Sequence, residues 1–173
     1  STLTVDSGIT IKTGAAGGGG TVGRADATAG VLLKGTVQAN TGGSIVISGT
    51  NWQNQGLIQA NGGSVYLDGT FTGANFGKIN VGSSAMYLRG TLDNTNNTFD
   101  LGVAGNTGNL SLNGGTIKGG TITSTTAAKL VAGSGTLDNV TLNTDLDIGS
   151  TVTVPTTLTV NAGKQVNFNS YFG

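Results

Sequence analysis

Apolar and polar residues alternate in short bursts along this chain, and the bursts recur at a spacing of about twenty residues, the mark of a stacked repeat. In one set of columns Val37, Ile58, Ile79 and Phe99 succeed one another, with Ala39, Ala60, Val81 and Leu101 two residues on. A second set runs Ile45, Val65, Met86, Leu110, Leu130, accompanied by Ile47, Leu67, Leu88, Leu112 and Ala132. Residues i and i+2 of a strand share a face, so each set reads as the inward side of one strand per repeat. Between the columns of the second set stand Val46, Tyr66, Tyr87, Ser111 and Val131, which the alternation turns outward, with Tyr66 and Tyr87 as neighbours in adjacent coils.

Punctuation falls at the same interval. Gly-Thr occurs at Gly49-Thr50, Gly69-Thr70, Gly90-Thr91, Gly115-Thr116 and Gly135-Thr136, at intervals of 20, 21, 25 and 20 residues. A third strand follows each mark, with Phe71, Leu92, Ile117 and Leu137 inward. Asn51 takes the equivalent place ahead of Trp52, which predicts a bulge or register shift there. No helical pattern separates the strands, so βαβ units are excluded. The expected fold is all-β, a parallel β-helix (β-solenoid) with about three short strands per coil of about 20–21 residues, right-handed by the default for parallel crossovers. A chain of this length makes about eight coils. The expected organisation is a single solenoid domain over 1–173, with protruding loops over 14–23 and 102–109. Glycine and asparagine at the corners are expected to supply positive φ.

Composition narrows the chemistry. The 173 residues include 32 glycines and one proline, with eight basic residues balancing eight aspartates, and there is no cysteine or histidine. Zero net charge without a basic stripe argues against a nucleic-acid partner. Without cysteine or histidine, disulfides, thiolate zinc sites, Ser-His-Asp, Cys-His and HExxH chemistry cannot be built from this chain. No apolar run approaches a membrane span, so direct membrane insertion is not expected.

The strings GTNWQNQGLIQANGGSVYLDGTFTGANFGKINV, GGTIKGGTIT and GTLDNVTLNTDLDIGSTVTV resemble the glycine-, threonine- and asparagine-rich repeats of bacterial surface and autotransporter-type parallel β-helix proteins. That resemblance implies an exported protein, extracellular or displayed at the cell surface, acting as an adhesin or exoprotein stalk.

Each candidate site also has a structural reading. Asp145 and Asp147 share a strand face, but glycosidase chemistry needs two carboxylates at a set separation with one held protonated, and neither has an evident apolar pocket or catalytic partner, so a solvated strand face is expected. The repeated GTLDN places Asp93-Asn94 and Asp138-Asn139 at turns, where such side chains bond nearby amides. No EF-hand or Gly-Gly-x-Gly-x-Asp loop is present, so no metal or other cofactor is expected. Gly17–Gly20 lacks the Gly-Lys-Ser/Thr of a phosphate loop. Thr-x-Thr pairs at Thr2, Thr121, Thr151 and Thr157 raise ice binding, but they are missing from the central coils. Trp52, Tyr66 and Tyr87, with Phe76 nearby, form an expected aromatic strip for a glycan or partner. The resulting expectation is a structural or adhesive module and not an enzyme, with a carbohydrate-binding module as the alternative. Strand-like runs at Ser1–Val5 and 152–168 without a helical cap raise a further partner, the chain itself, joined end to end into a filament by strand addition.

Overall fold

A computed structural model describes residues 1–14, 16–24 and 29–169. The chain is an all-β solenoid of stacked parallel sheets. Its longest ladder, here the front face, runs Gly18–Gly23, Gly43–Ser48, Ser64–Leu67, Ala85–Leu88, Leu110–Lys118, Leu130–Asp138, Leu146–Ile148, Val166–Phe168. Eight successive strands on one face make about seven turns, one fewer than the length alone suggests. Every pairing between named strands is parallel, so each strand closes its backbone bonds on the equivalent strand of the next turn.

The inward columns of the front face form as the alternation requires. Ile45 pairs with Val65, Val65 with Met86, Met86 with Leu110, Leu110 with Leu130 and Leu130 with Leu146. All are buried, as are Ile47, Leu67, Leu88, Leu112 and Ala132 beside them. The core is therefore one continuous cluster of stacked apolar columns, buried from Val5 to Ile148.

The second face begins with Thr2–Val5, Gly30–Leu33 and Gln53–Asn54. A single bridge from Trp52 to Phe71 carries it into Thr70–Thr72 and Thr91–Asp93, then into the second halves of Leu110–Lys118 and Leu130–Asp138. Asn51 adopts φ +50°, and this left-handed residue advances Trp52 into the column of Phe71, Leu92, Ile117 and Leu137. The register shift expected at Asn51 is thus present, and its effect is to bury Trp52.

The third face is the ladder Thr10–Lys12, Thr36–Asn40, Leu57–Asn61, Lys78–Asn80, and there it stops. A separate ladder, Thr98–Asp100, Thr121–Thr123, Val140–Asn143, Leu158–Val160, carries the upper turns. Phe99 therefore pairs with Ile122 and does not continue the column of Ile79, which corrects the sequence alignment of those two residues. The cause is a pair of 3-10 turns. Gly73–Asn75 lies against Thr98–Asp100, and Val103–Gly105 lies against Lys78–Asn80.

Among the described residues, much of each expected loop is built into the rod. Gly18–Gly23 is a strand paired at all six positions with Gly43–Ser48, because a neighbouring strand offers a full set of backbone partners and glycine fits where the backbones crowd. Residue 15 of that expected loop lies outside the described residues. The segment 102–109 folds back over the end of the third face, where buried Asn106 accepts from the Val81 amide through Oδ1 at 3.0 Å.

The Gly-Thr marks have a common steric cause. A Cβ on Gly49, Gly69, Gly90, Gly115 or Gly135 would stand 2.1 to 2.7 Å from a backbone oxygen of the turn before. Only Gly69 and Gly135 of the five have positive φ, so close stacking of turns, more than the corner dihedral, demands glycine there.

Candidate functional site

The expected aromatic strip divides in two. Trp52 is fully buried, its ring stacked on Phe71 with centroids 4.3 Å apart and lying 5.9 Å from Phe76, which in turn meets Phe99 edge-on at 4.9 Å. Its indole N–H donates to the Asp68 carbonyl at 2.8 Å, so its one polar atom is satisfied inside the rod. Trp52 and Phe76 are core residues and cannot meet a glycan. This corrects the assignment of Trp52 as a contact residue.

Tyr66 and Tyr87 do lie outside, at the same rung position on adjacent front-face strands. Their rings stack with centroids 5.1 Å apart and planes 17° from parallel. Sequence reading missed two further members of the cluster. Arg89 places its guanidinium 4.3 Å from the Tyr66 ring centroid, and it grips Asp68 through two parallel bonds, Nε to Oδ1 and Nη2 to Oδ2, each 2.8 Å. The hydrogen bond to Asp68 raises the Arg89 pKa above its ordinary value, against a smaller opposing effect of burial. The signal was available, since Asp68 and Arg89 each stand immediately before a Gly-Thr mark and so meet across one rung.

The outward column containing the tyrosines is Thr21, Val46, Tyr66, Tyr87, Ser111, Val131, Asp147 and Asn167. Asp147 accepts from the Asn167 amide at 2.8 Å and pairs with Lys129 at 3.5 Å. Asp145 accepts from the Gln165 backbone amide at 3.1 Å. These two carboxylates tie one turn to the next.

Asp100 sits at the junction of the two ladders, beside a shallow groove of about 410 Å³ whose lining includes Phe76, Lys78, Thr98 and Val103. Its carboxylate accepts from the Gly102 amide at 2.8 Å, the Thr125 amide at 3.0 Å and the Thr125 hydroxyl at 2.7 Å. Desolvation pushes its pKa up, but the Thr125 and Gly102 bonds together outweigh it and hold the group below the usual aspartate range. An acid used up in three bonds has little capacity left for proton transfer to a substrate in the groove.

The two copies of GTLDN adopt different corners. Asp93 accepts from the Thr95 amide at 3.1 Å, and the hydroxyl and amide of Thr95 lower its pKa. Asn94 then turns fully inward and donates to the carbonyls of Asn97 and Thr121. Asn139, by contrast, is exposed at φ +57°. The Asn94 Oδ1 has no hydrogen-bond donor, and it lies 2.2 Å from where a Cβ on Gly73 would be, so the Gly73 Cα–H faces it.

Threonine ladders are a second feature, one that Thr-x-Thr spacing does not reveal. Thr70, Thr91, Thr116, Thr136 and Thr153 succeed one another on the second face, and Thr98, Thr121, Thr141 and Thr159 on the upper ladder. The file beside the first runs Thr72, Asp93, Lys118, Asp138, so charges interrupt any flat two-file hydroxyl array.

Among the described residues no helix is long and apolar enough to cross a membrane, and no cluster of three metal-ligating side chains occurs. Compared with known protein families, curated proteins and solved structures, the chain matches none.

Proposed function

We propose that this chain is a structural module, a rigid rod segment of an exported bacterial surface protein, that spans distance and presents surface without catalysing a reaction. The observation that supports this most is how the carboxylates are employed. Apart from Asp93, which bonds within its own turn, every aspartate among the described residues reaches a neighbouring turn. Asp6 pairs with Lys34, Asp68 with Arg89, Asp100 with Thr125, Asp138 with Thr156, Asp145 with the Gln165 amide, and Asp147 with Asn167 and Lys129. Acids spread along the rod as ties serve axial cohesion, whereas hydrolysis of a glycan requires two of them gathered about one bond. The export and bacterial setting rest on the resemblance of the repeats.

The test is a reducing-end assay on a panel of neutral and acidic polysaccharides, run with the wild type, Asp145→Asn and Asp147→Asn. The expected result is no turnover by any of the three and a lowered Tm for Asp147→Asn, which loses its ion pair with Lys129. Turnover by the wild type that either substitution abolishes would overturn the reading.

A further inference from the structure

We propose that the front face carries a binding platform for a neutral saccharide, formed by the Tyr87 ring with Ser111 at its edge. The tyrosine pair is stacked nearly parallel, so one face of Tyr87 is spent on Tyr66 and the other looks along the rod toward the next rung. The residue on that rung is Ser111, whose side chain is too short to cover a phenol ring. Half-buried Tyr87 is consequently held by Tyr66 on one side and meets a short partner on the other, which lowers the entropic cost of stacking a ligand against it. Stacking of a sugar's C–H face on an aromatic ring, with hydroxyls meeting polar atoms at the rim, is the use that suits such an amphipathic ring.

The rim has the right chemistry. Arg89 lies over the Tyr66 ring and is held on Asp68, in the turn before Tyr87, so the rim on the Ser111 side is made of hydroxyls. The hydroxyls of Tyr66, Tyr87 and Ser111 both donate and accept. Charge selects the class of ligand. Asp68 neutralises Arg89 on the spot, which leaves no uncompensated cation for an acidic glycan or a phosphate. A peptide adding as a strand is disfavoured too, since the front-face strands of this region are already paired on both sides with Gly43–Ser48 and Leu110–Lys118. A neutral oligosaccharide laid across the rungs fits what remains.

The platform is independent of the rod reading, because a rod without ligand remains a rod. Affinity is measured calorimetrically against oligosaccharides of cellulose, xylan, mannan and chitin, with an oligogalacturonate as the acidic control. Four variants are compared, each checked for an unchanged circular dichroism spectrum: Tyr87→Ala, Tyr87→Phe, Arg89→Lys and Ser111→Phe. Binding of at least one neutral oligosaccharide is expected, weakened about ten-fold or more by Tyr87→Ala, since aromatic stacking is a main source of affinity. Tyr87→Phe should retain most of it, and so should Arg89→Lys, because the guanidinium lies on the Tyr66 and Asp68 side of the pair. Ser111→Phe is the decisive variant. It leaves the Tyr87 ring in place and fills the space beside it on the next rung, so it should abolish binding while the fold persists. The proposal is overturned by no binding to any neutral probe, by binding indifferent to Tyr87→Ala and Ser111→Phe, or by binding confined to the oligogalacturonate.

Discussion

Within Asn51-Trp52-Gln53 the lone tryptophan of the chain is flanked by polar residues, the setting in which an aromatic side chain usually signals an exposed contact. The left-handed Asn51 reverses that reading by advancing Trp52 one place into the core, where Phe71 and Phe76 pack on it. Trp52→Ala should therefore cost about 3–5 kcal/mol, as deletion of a large buried aromatic does, and Trp52→Phe distinctly less. Urea unfolding of the two variants against the wild type measures both. Asp100, like Asp93, has a lowered pKa. Its folded pKa lies below the unfolded value, so the unfolded chain takes up the proton more readily. The stability it contributes is complete above the ordinary aspartate value of about 3.9 and is lost as pH falls through the lower folded value. Asp100→Asn should accordingly unfold earlier than the wild type at pH 6, and the gap in Tm should close as the pH falls below the folded pKa.

The strands of the front face were legible because alternation is local, and Val65-Tyr66-Leu67 and Met86-Tyr87-Leu88 announce which side chains point in. Their cross-rung partners followed from the interval of about one turn. Corners were less legible. Asn54, Asn94 and Asn106 are buried asparagines that hold chain bends through side-chain bonds to backbone, yet nothing in their neighbours distinguishes them from exposed Asn139. Asn106 is the most heavily used. Its amide donates to the Leu101 and Gly108 carbonyls, and its carbonyl accepts from the Val81 and Gly108 amides. Asn106→Ala should cost roughly 1–3 kcal/mol for each group left buried without a partner. Hydrogen exchange should speed up at the Val81 amide in particular. A uniform rise over the rod without excess at Val81 would contradict this account of the 102–109 segment as a cover for the third face.

For the whole molecule, stability comes from stacking turns that contact only their neighbours, so a complete turn is a removable unit. Excision of 64–84 joins Gly63 to Ala85 and lets Met86 and Leu88 stack on Ile45 and Ile47, the places Val65 and Leu67 now hold. That variant should fold with a β-type circular dichroism spectrum and a lower urea midpoint. Excision of 64–85 removes one residue more and turns every later side chain of that strand to the opposite side. It should fail to fold, and equal stability of the two deletions would refute the ladder register.

What the sequence determined by itself was the architecture: period-two alternation, a repeat of about twenty residues and crowded Gly-Thr corners leave stacked parallel coils as the arrangement that pairs every strand. The inward columns and the outward tyrosine pair belong to that same local information. Tertiary structure alone decided which turns stack in register and which do not. Phe99 left the Ile79 column because two 3-10 turns replaced strands at one level, and Gly18–Gly23 became a strand because Gly43–Ser48 lay beside it. Trp52 went inside because one residue took a left-handed φ. The first two outcomes depend on partners about one turn away in sequence, whose contacts leave no trace in the residues immediately around them, whereas the shift at Trp52 had a local sign in Asn51.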